Sequence, residues 1–421
     1  MRDQRFVKLF VFGLAICGGA SQAWAQLGSG IVSNVAANRL GLERTWSTQL
    51  QVDPSRGRVL GIKVEPGLLL AHTSLGTIQA LDPESGRTLW SASVGNAAYE
   101  TTQPCANDKF VAVTNGSTLF LLDRKSGGMI WQQRIGGSPS TGPAISTDKV
   151  FVSLATGLVE AYNLTRSTRS DELPVRYSGR QGAVAPPIVA GNRLQWTVPR
   201  GYLYSREISN DLVQYRFQMD DDASAPPAHM SPFAYAASRA GTVYGLDDIT
   251  GAEVWRYSIG ASISHPLLTI DGALLAVSEQ GALARLNPRN GLQVWFQRGV
   301  ADVLSVGSGR IYALDTFGRL AVYDLAGGRS LGAMLLPTND LPVHNSVTDR
   351  VYLATSTGLL QCLRETGLTK PLGHTPGFAI PPKPQPGAVP AAPADATAAP
   401  PVEGAAPAAP AGAPGNPFGG T

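Results

Sequence analysis

The chain has 421 residues, 34 Lys+Arg against 31 Asp+Glu, and a formal charge of +3. That balance leaves no electrostatic footprint for nucleic acid. Three cysteines are too few for a disulfide framework, and no stretch approaches the roughly 18 apolar residues of a spanning helix.

At the N-terminus, Arg2, Arg5 and Lys8 precede an apolar stretch from Leu9 to Ala20 and then Ala23-Trp24-Ala25. A basic start, a short apolar core and a small-x-small end read as an export signal over residues 1–25, cleaved between Ala25 and Gln26. The expected location is the periplasm or cell envelope. Lipidation at Cys17 is disfavoured because bulky, β-branched Ile16 stands where a lipoprotein box takes a small residue. Cleavage leaves the charges all but balanced and leaves Cys105 and Cys362, in non-adjacent repeats, with their pairing open. Residues 26–41 read as a short flexible leader.

A repeat then governs the chain. Gly76, Asp82, Gly86 and Trp90 recur as Ser117, Asp123, Gly127 and Trp131, as Gly241, Asp247, Gly251 and Trp255, and as Gly281, Asn287, Gly291 and Trp295. A fixed spacing of this kind signals a repeat architecture with a period of about 40 residues. Between the first Gly and the Asp, apolar positions alternate, Ile78 and Ala80 against Thr77, Gln79 and Leu81, which predicts a strand buried on one face. Asp82 to Gly86 is a turn, because Asp can bond its own backbone and Gly takes positive φ at no steric cost; a second strand carries Trp90. Weaker copies start at Gly157, at Gly201 with Tyr215 in the Trp place, at Gly318 and at Gly358. Apolar runs such as 148–155 and 271–278, each preceded by a short segment, bring every unit to four strands, the pattern of a propeller blade.

The last copy has no evident fourth strand, while Leu42 to Gln49, containing Trp46, looks like a fourth strand without its first three. Pairing the two would seal the ring and remove its exposed edges. The fold expected is therefore all-β: an eight-bladed β-propeller of four-stranded antiparallel blades over residues 42–374, closed by an N-terminal strand. The alternative is seven blades, with the 201 unit as an irregular copy. Residues 375–421 are rich in Pro and Ala and poor in large aliphatics, so they cannot offset their ordering entropy and read as a disordered tail.

These repeats resemble the pyrroloquinoline-quinone (PQQ) propeller superfamily and, with the Glu43-Arg44-Thr45-Trp46 closing strand and the export signal, the BamB family of outer-membrane-protein assembly factors. The resemblance implies that Trp46, Trp90, Trp131, Trp255 and Trp295 pack between blades and are structural. It also implies a non-catalytic envelope scaffold that binds protein partners, including an outer-membrane barrel assembly component, and that meets the membrane only peripherally or through such a partner. A monomeric ring is expected. In the stretch where the repeat breaks down, Tyr177 to Pro186 is similar to the family's partner-binding loop and makes Arg180 the candidate contact, although Gly179 stands where the family has Leu.

Quinoprotein dehydrogenases of the same superfamily hold PQQ and calcium beside a vicinal Cys pair, which this chain lacks, so no cofactor is expected. A PQQ-dependent redox enzyme and a polysaccharide-binding propeller remain the alternative functions. No metal-binding motif appears either: His72, His229, His265, His344 and His374 are scattered, and Asp220-Asp221-Asp222 lacks the alternating form of a calcium loop. Ser146 to Lys149 matches S-x-x-K by letters but sits at a turn into a strand. Catalytic residues are not expected.

Overall fold

The computed structural model describes residues 30–165, 173–179, 181–210 and 213–374. The export signal, with Ala25 and Gln26, and the 375–421 tail fall outside them. So does Arg180.

The repeat motif works as a set of contacts. The Asp carboxylate caps its turn: Oδ1 of Asp82, Asp123 and Asp247 accepts the backbone N–H three residues on, at 2.7–2.8 Å. The glycine after the turn has φ of +68° to +71° at Gly86, Gly127 and Gly251. That left-handed geometry lets its N–H close on the Asp carbonyl at 2.8–2.9 Å.

Eight sheets form among the described residues, seven of them four-stranded antiparallel meanders over 59–93, 105–134, 144–178, 188–218, 228–258, 268–298 and 300–335, here blades one to seven. The 201 unit builds blade four with all four strands, which settles the count at eight. Blade eight holds Val351–Ala354 and Leu359–Glu365. The N-terminal strand Leu42–Gln49 runs antiparallel along its outer edge, with Leu42 opposite Glu365, Trp46 opposite Cys362 and Gln49 opposite Leu359. Its innermost strand is reduced to one bridge, Leu341 to Ala354.

First strands of neighbouring blades touch one another, so they line the central axis. Because successive strands are antiparallel, connections alternate between two faces. Turns between the first and second and the third and fourth strands lie on one, the turn face. Turns between the second and third strands, together with the links from blade to blade, lie on the other, the loop face.

The expectation of one buried face per strand fails in the middle of each blade. Ile78, Gln79, Ala80 and Leu81 are all buried. A blade is sandwiched between two others, so both faces of a central strand meet apolar side chains: Leu70, Ile78, Ala80 and Trp90 of blade one share a cluster with Val111, Val113 and Phe120 of blade two. The one polar member, Gln79, is satisfied by two bonds to the Gln51 backbone at 2.8 and 2.9 Å. Fourth strands keep the alternation, as in Thr88–Ser93, where Trp90 is buried between exposed Leu89 and Ser91.

The described part of the expected flexible leader is fixed to the ring instead. A helix spans Asn34–Arg39, and Val32 and Ala37 are buried with Leu42, Leu320 and Val351. The Gln361 side chain accepts from the Val32 N–H at 2.8 Å and donates to the Gly30 carbonyl at 3.0 Å. The apolar pair is too short to register as a periodic pattern, yet it covers the seam of the ring. No helix among the described residues is long and apolar enough to cross a membrane.

Candidate functional site on the loop face

The aromatic position of the repeat forms a joint between blades. Were a Cβ present at Gly127, it would lie 2.5 Å from the Trp90 ring; at Gly291 it would lie 2.4 Å from Trp255, at Gly328 2.6 Å from Trp295, and at Gly86 2.4 Å from Trp46. Each ring therefore fits a groove that only glycine leaves open in the next blade. Its indole N–H also reaches that blade's turn: Trp46 donates to the Pro83 carbonyl, Trp90 to Arg124, Trp131 to Leu164, Trp255 to Pro288 and Trp295 to Leu325, at 2.8–3.1 Å. Tyr215 takes the same place, with Gly251 opposite at 2.3 Å.

On the loop face, the links into blades two and three flank a cleft of about 510 Å³, lined by residues 98–103 and 138–142 together with Leu60, His72 and Gly116. Tyr99 stands at its lip, 60 % exposed. The link into blade four runs alongside: the Gly179 N–H donates to the Gly157 carbonyl at 2.6 Å, Val184 to Thr197 at 3.0 Å, and the Ala183 N–H to Ser153 Oγ at 3.1 Å. Ser153 Oγ in turn accepts from Ser140 Oγ at the cleft, at 3.1 Å. The stretch that follows position 180 is thus tied to the cleft wall through Ser153 and Ser140. Below the cleft, His72 is buried with Nδ1 unpartnered, and burial pulls its pKa down to about 4.

A second grouping lies near the axis on the same face, from three successive blades. His265 is in the link into blade six, Asp302 in the first strand of blade seven, and His344 in the innermost segment of blade eight. His344 Nε2 is 3.0 and 2.8 Å from the two Asp302 carboxylate oxygens, and His265 Nδ1 is 3.4 Å from Oδ1. Burial alone would raise the Asp302 carboxyl, but hydrogen bonds from both histidines outweigh it and hold it below the ordinary range. The bond to Asp302 raises His265 in return. Spacing along the chain shows no such motif, and the ring creates it. The signal that finds it is arithmetic: the three residues are 37 and 42 positions apart, about one repeat each, so they fall side by side.

The remaining letter matches are used structurally. Asp220 Oδ2 accepts from Thr242 at 2.7 Å and Asp222 Oδ1 from the Arg200 N–H at 2.7 Å, each tying a different loop, while Asp221 Oδ1 accepts the Asp222 N–H at 2.8 Å within its own turn. Ser146 Oγ accepts the Lys149 N–H at 2.9 Å in a turn, and Lys149 Nζ donates to the Ile208 carbonyl. Cys105 and Cys362 are free thiols.

The channel at the axis, about 310 Å³, is lined by Lys63, Glu65, Gln103 and Ser346 together with Pro104, Pro143, Pro186 and Pro187, which carry no N–H. Burial raises the Glu65 carboxyl. One lining cation, Lys63, is a poor match for the three carboxylates of PQQ.

An outer membrane protein assembly factor BamB from Shewanella oneidensis is 22 % identical over 337 residues, covering 70 % of this chain and 82 % of that one. A second BamB, from Moranella endobia, is 19 % identical over 53 % of this chain; the match spans 62 % of that relative, under two thirds of its length. The crystal structure of BamB from Moraxella catarrhalis superposes with a TM-score of 0.64 at 18 % identity, covering 77 % of this chain and 98 % of that one, a likeness of fold. The model of the family described as outer membrane protein assembly factor BamB matches residues 74–171 and 190–341, more than half of the chain, and the chain belongs to that family.

Proposed function

We propose that this chain is an exported, non-catalytic scaffold of outer-membrane β-barrel protein assembly that binds a protein partner through its loop face. The observation that carries the reading is the family match over 74–171 and 190–341, joined by two relatives whose names state that role. Support for the face comes from a cleft between the links into blades two and three, beside the link into blade four, where the repeat breaks down and Arg180 stands in the sequence. Loops positioned by a rigid ring are where binding residues concentrate. Arg180 is the proposed contact, since a guanidinium offers five donors to a partner's carboxylates or carbonyls. The export signal is proposed to end at Ala25, so the mature chain starts at Gln26.

The test is a source strain lacking the chain, complemented with the wild type or with Arg180→Glu. Loss of the chain should lower the amount of folded barrel protein in the outer membrane, the wild type should restore it, and Arg180→Glu should restore less. Unchanged barrel protein after loss of the chain would sink the proposal.

A further inference from the structure

We propose that His265, Asp302 and His344 form a binding site for a divalent transition-metal ion of the zinc class, on the loop face where blades six, seven and eight meet. Two imidazole nitrogens and one carboxylate oxygen are donors that zinc takes in three-protein-ligand sites. The donor atoms all lie within 4.8 Å of one another.

The distances suit such an ion. Tetrahedral bonds of about 2.0–2.1 Å set ligand atoms about 3.3 Å apart, and the separations from Asp302 are 2.8, 3.0 and 3.4 Å. The two histidine nitrogens lie within 4.8 Å of each other, and closing any remainder of that gap to about 3.3 Å completes the set. Their side chains, 29 % and 31 % exposed, have room to turn, while Asp302 is 10 % exposed and is held by the Val303 N–H at 2.8 Å. His344 starts from a pinned backbone: the Asn345 N–H donates to the Leu304 carbonyl, and its side chain donates to the Arg350 carbonyl at 2.7 Å.

A second buried carboxylate–histidine pair of the ring separates a metal site from an ordinary ion pair. Asp248 also meets a histidine, His229 at 3.0 Å, but its remaining capacity is filled by Arg193 and by Gln195 at 2.8 Å. Asp302 has two histidines and one backbone N–H in those places, and a half-exposed approach from the loop face. Three protein ligands leave a fourth position open to water or to a side chain from a bound protein.

The exported chain, stripped with a chelator, would be titrated with Zn²⁺ by calorimetry and with Co²⁺ by visible absorbance. The proposal expects one saturable equivalent and the intense visible bands of four-coordinate Co²⁺. It expects affinity to fall by about tenfold or more in Asp302→Asn and in His344→Gln, with circular dichroism confirming that both variants fold. It also expects Zn²⁺ to raise the unfolding midpoint of the wild type and not that of Asp302→Asn. Absence of saturable binding, or equal binding by the wild type and both variants, overturns it.

Discussion

Gly291→Ala tests the joint on which the whole ring depends. Gly291 has φ of +70°, and an added Cβ would lie 2.4 Å from the Trp255 ring. Left-handed geometry costs an L-residue about 1–2 kcal/mol. The ring cannot simply retreat, because its N–H is held by the Pro288 carbonyl at 3.0 Å and it is buried against both blades. Forcing it aside costs about 1–3 kcal/mol of overpacking and weakens a hydrogen bond worth about 1 kcal/mol. The expected loss is about 3–5 kcal/mol. Gly309→Ala supplies the reference: its φ is +76°, with nothing within 4 Å of the new Cβ, so only the backbone cost of about 1–2 kcal/mol applies. Urea denaturation of both variants, followed by far-ultraviolet circular dichroism, measures the difference. Equal losses in the two would refute the joint, since the wedge of Trp255 into the next blade would then carry no energy.

His72 predicts a pH dependence. Its folded pKa of about 4 lies below the usual 6.5, so the unfolded chain takes up a proton that the folded one refuses. Stability from this group is complete above pH 6.5 and drains away as pH falls to about 4, by about 3 kcal/mol. Denaturation midpoints of His72→Gln should be less sensitive to pH between 7.5 and 4.5, and a slope equal to the wild type's would count against the assignment. Arg350, 1 % exposed, bonds buried Asp349 at 3.1 Å and, across the seam, Glu84 of blade one at 2.9 Å. Arg350→Met strands the Asp349 carboxylate and should cost about 3–5 kcal/mol. Glu84→Gln removes a partner that is 39 % exposed and should cost no more than about 1 kcal/mol; equal losses by denaturant titration would contradict this. Cys362 faces Trp46 of the closing strand, and burial pushes its thiol up to about 12. In a Cys105→Ala background, removing residues up to 50 should turn Cys362 from slow to fast in labelling by a thiol reagent, and unchanged labelling would show that the strand does not cover it.

The fold was legible because the repeat's residues act at short range. Asp82 and Gly86 settle a turn within one unit, and the orphan strand around Trp46 had one partner of the right kind, the incomplete last blade. What periodicity misreads is burial. Gln79 looks outward by alternation, but its blade is covered on both faces, and only the Gln51 backbone makes its position tolerable. The helix Asn34–Arg39 escapes notice because two small anchors, Val32 and Ala37, hold it. The His265, Asp302 and His344 grouping is invisible to local motif reading, since its geometry exists only once three blades stand side by side. The Gly–Trp joint is the opposite case, a fixed offset along the chain that becomes a fixed contact across blades.

The most direct test of the scaffold reading is site-specific photo-crosslinking in intact envelopes, from Tyr99 at the lip of the cleft and from Leu335 on the outer edge of blade seven, both exposed. An adduct with an outer-membrane barrel assembly component is expected from the Tyr99 position, weakened by Arg180→Glu and absent from Leu335. Adducts from both positions with unrelated proteins alone, and none with a barrel assembly component, would contradict it.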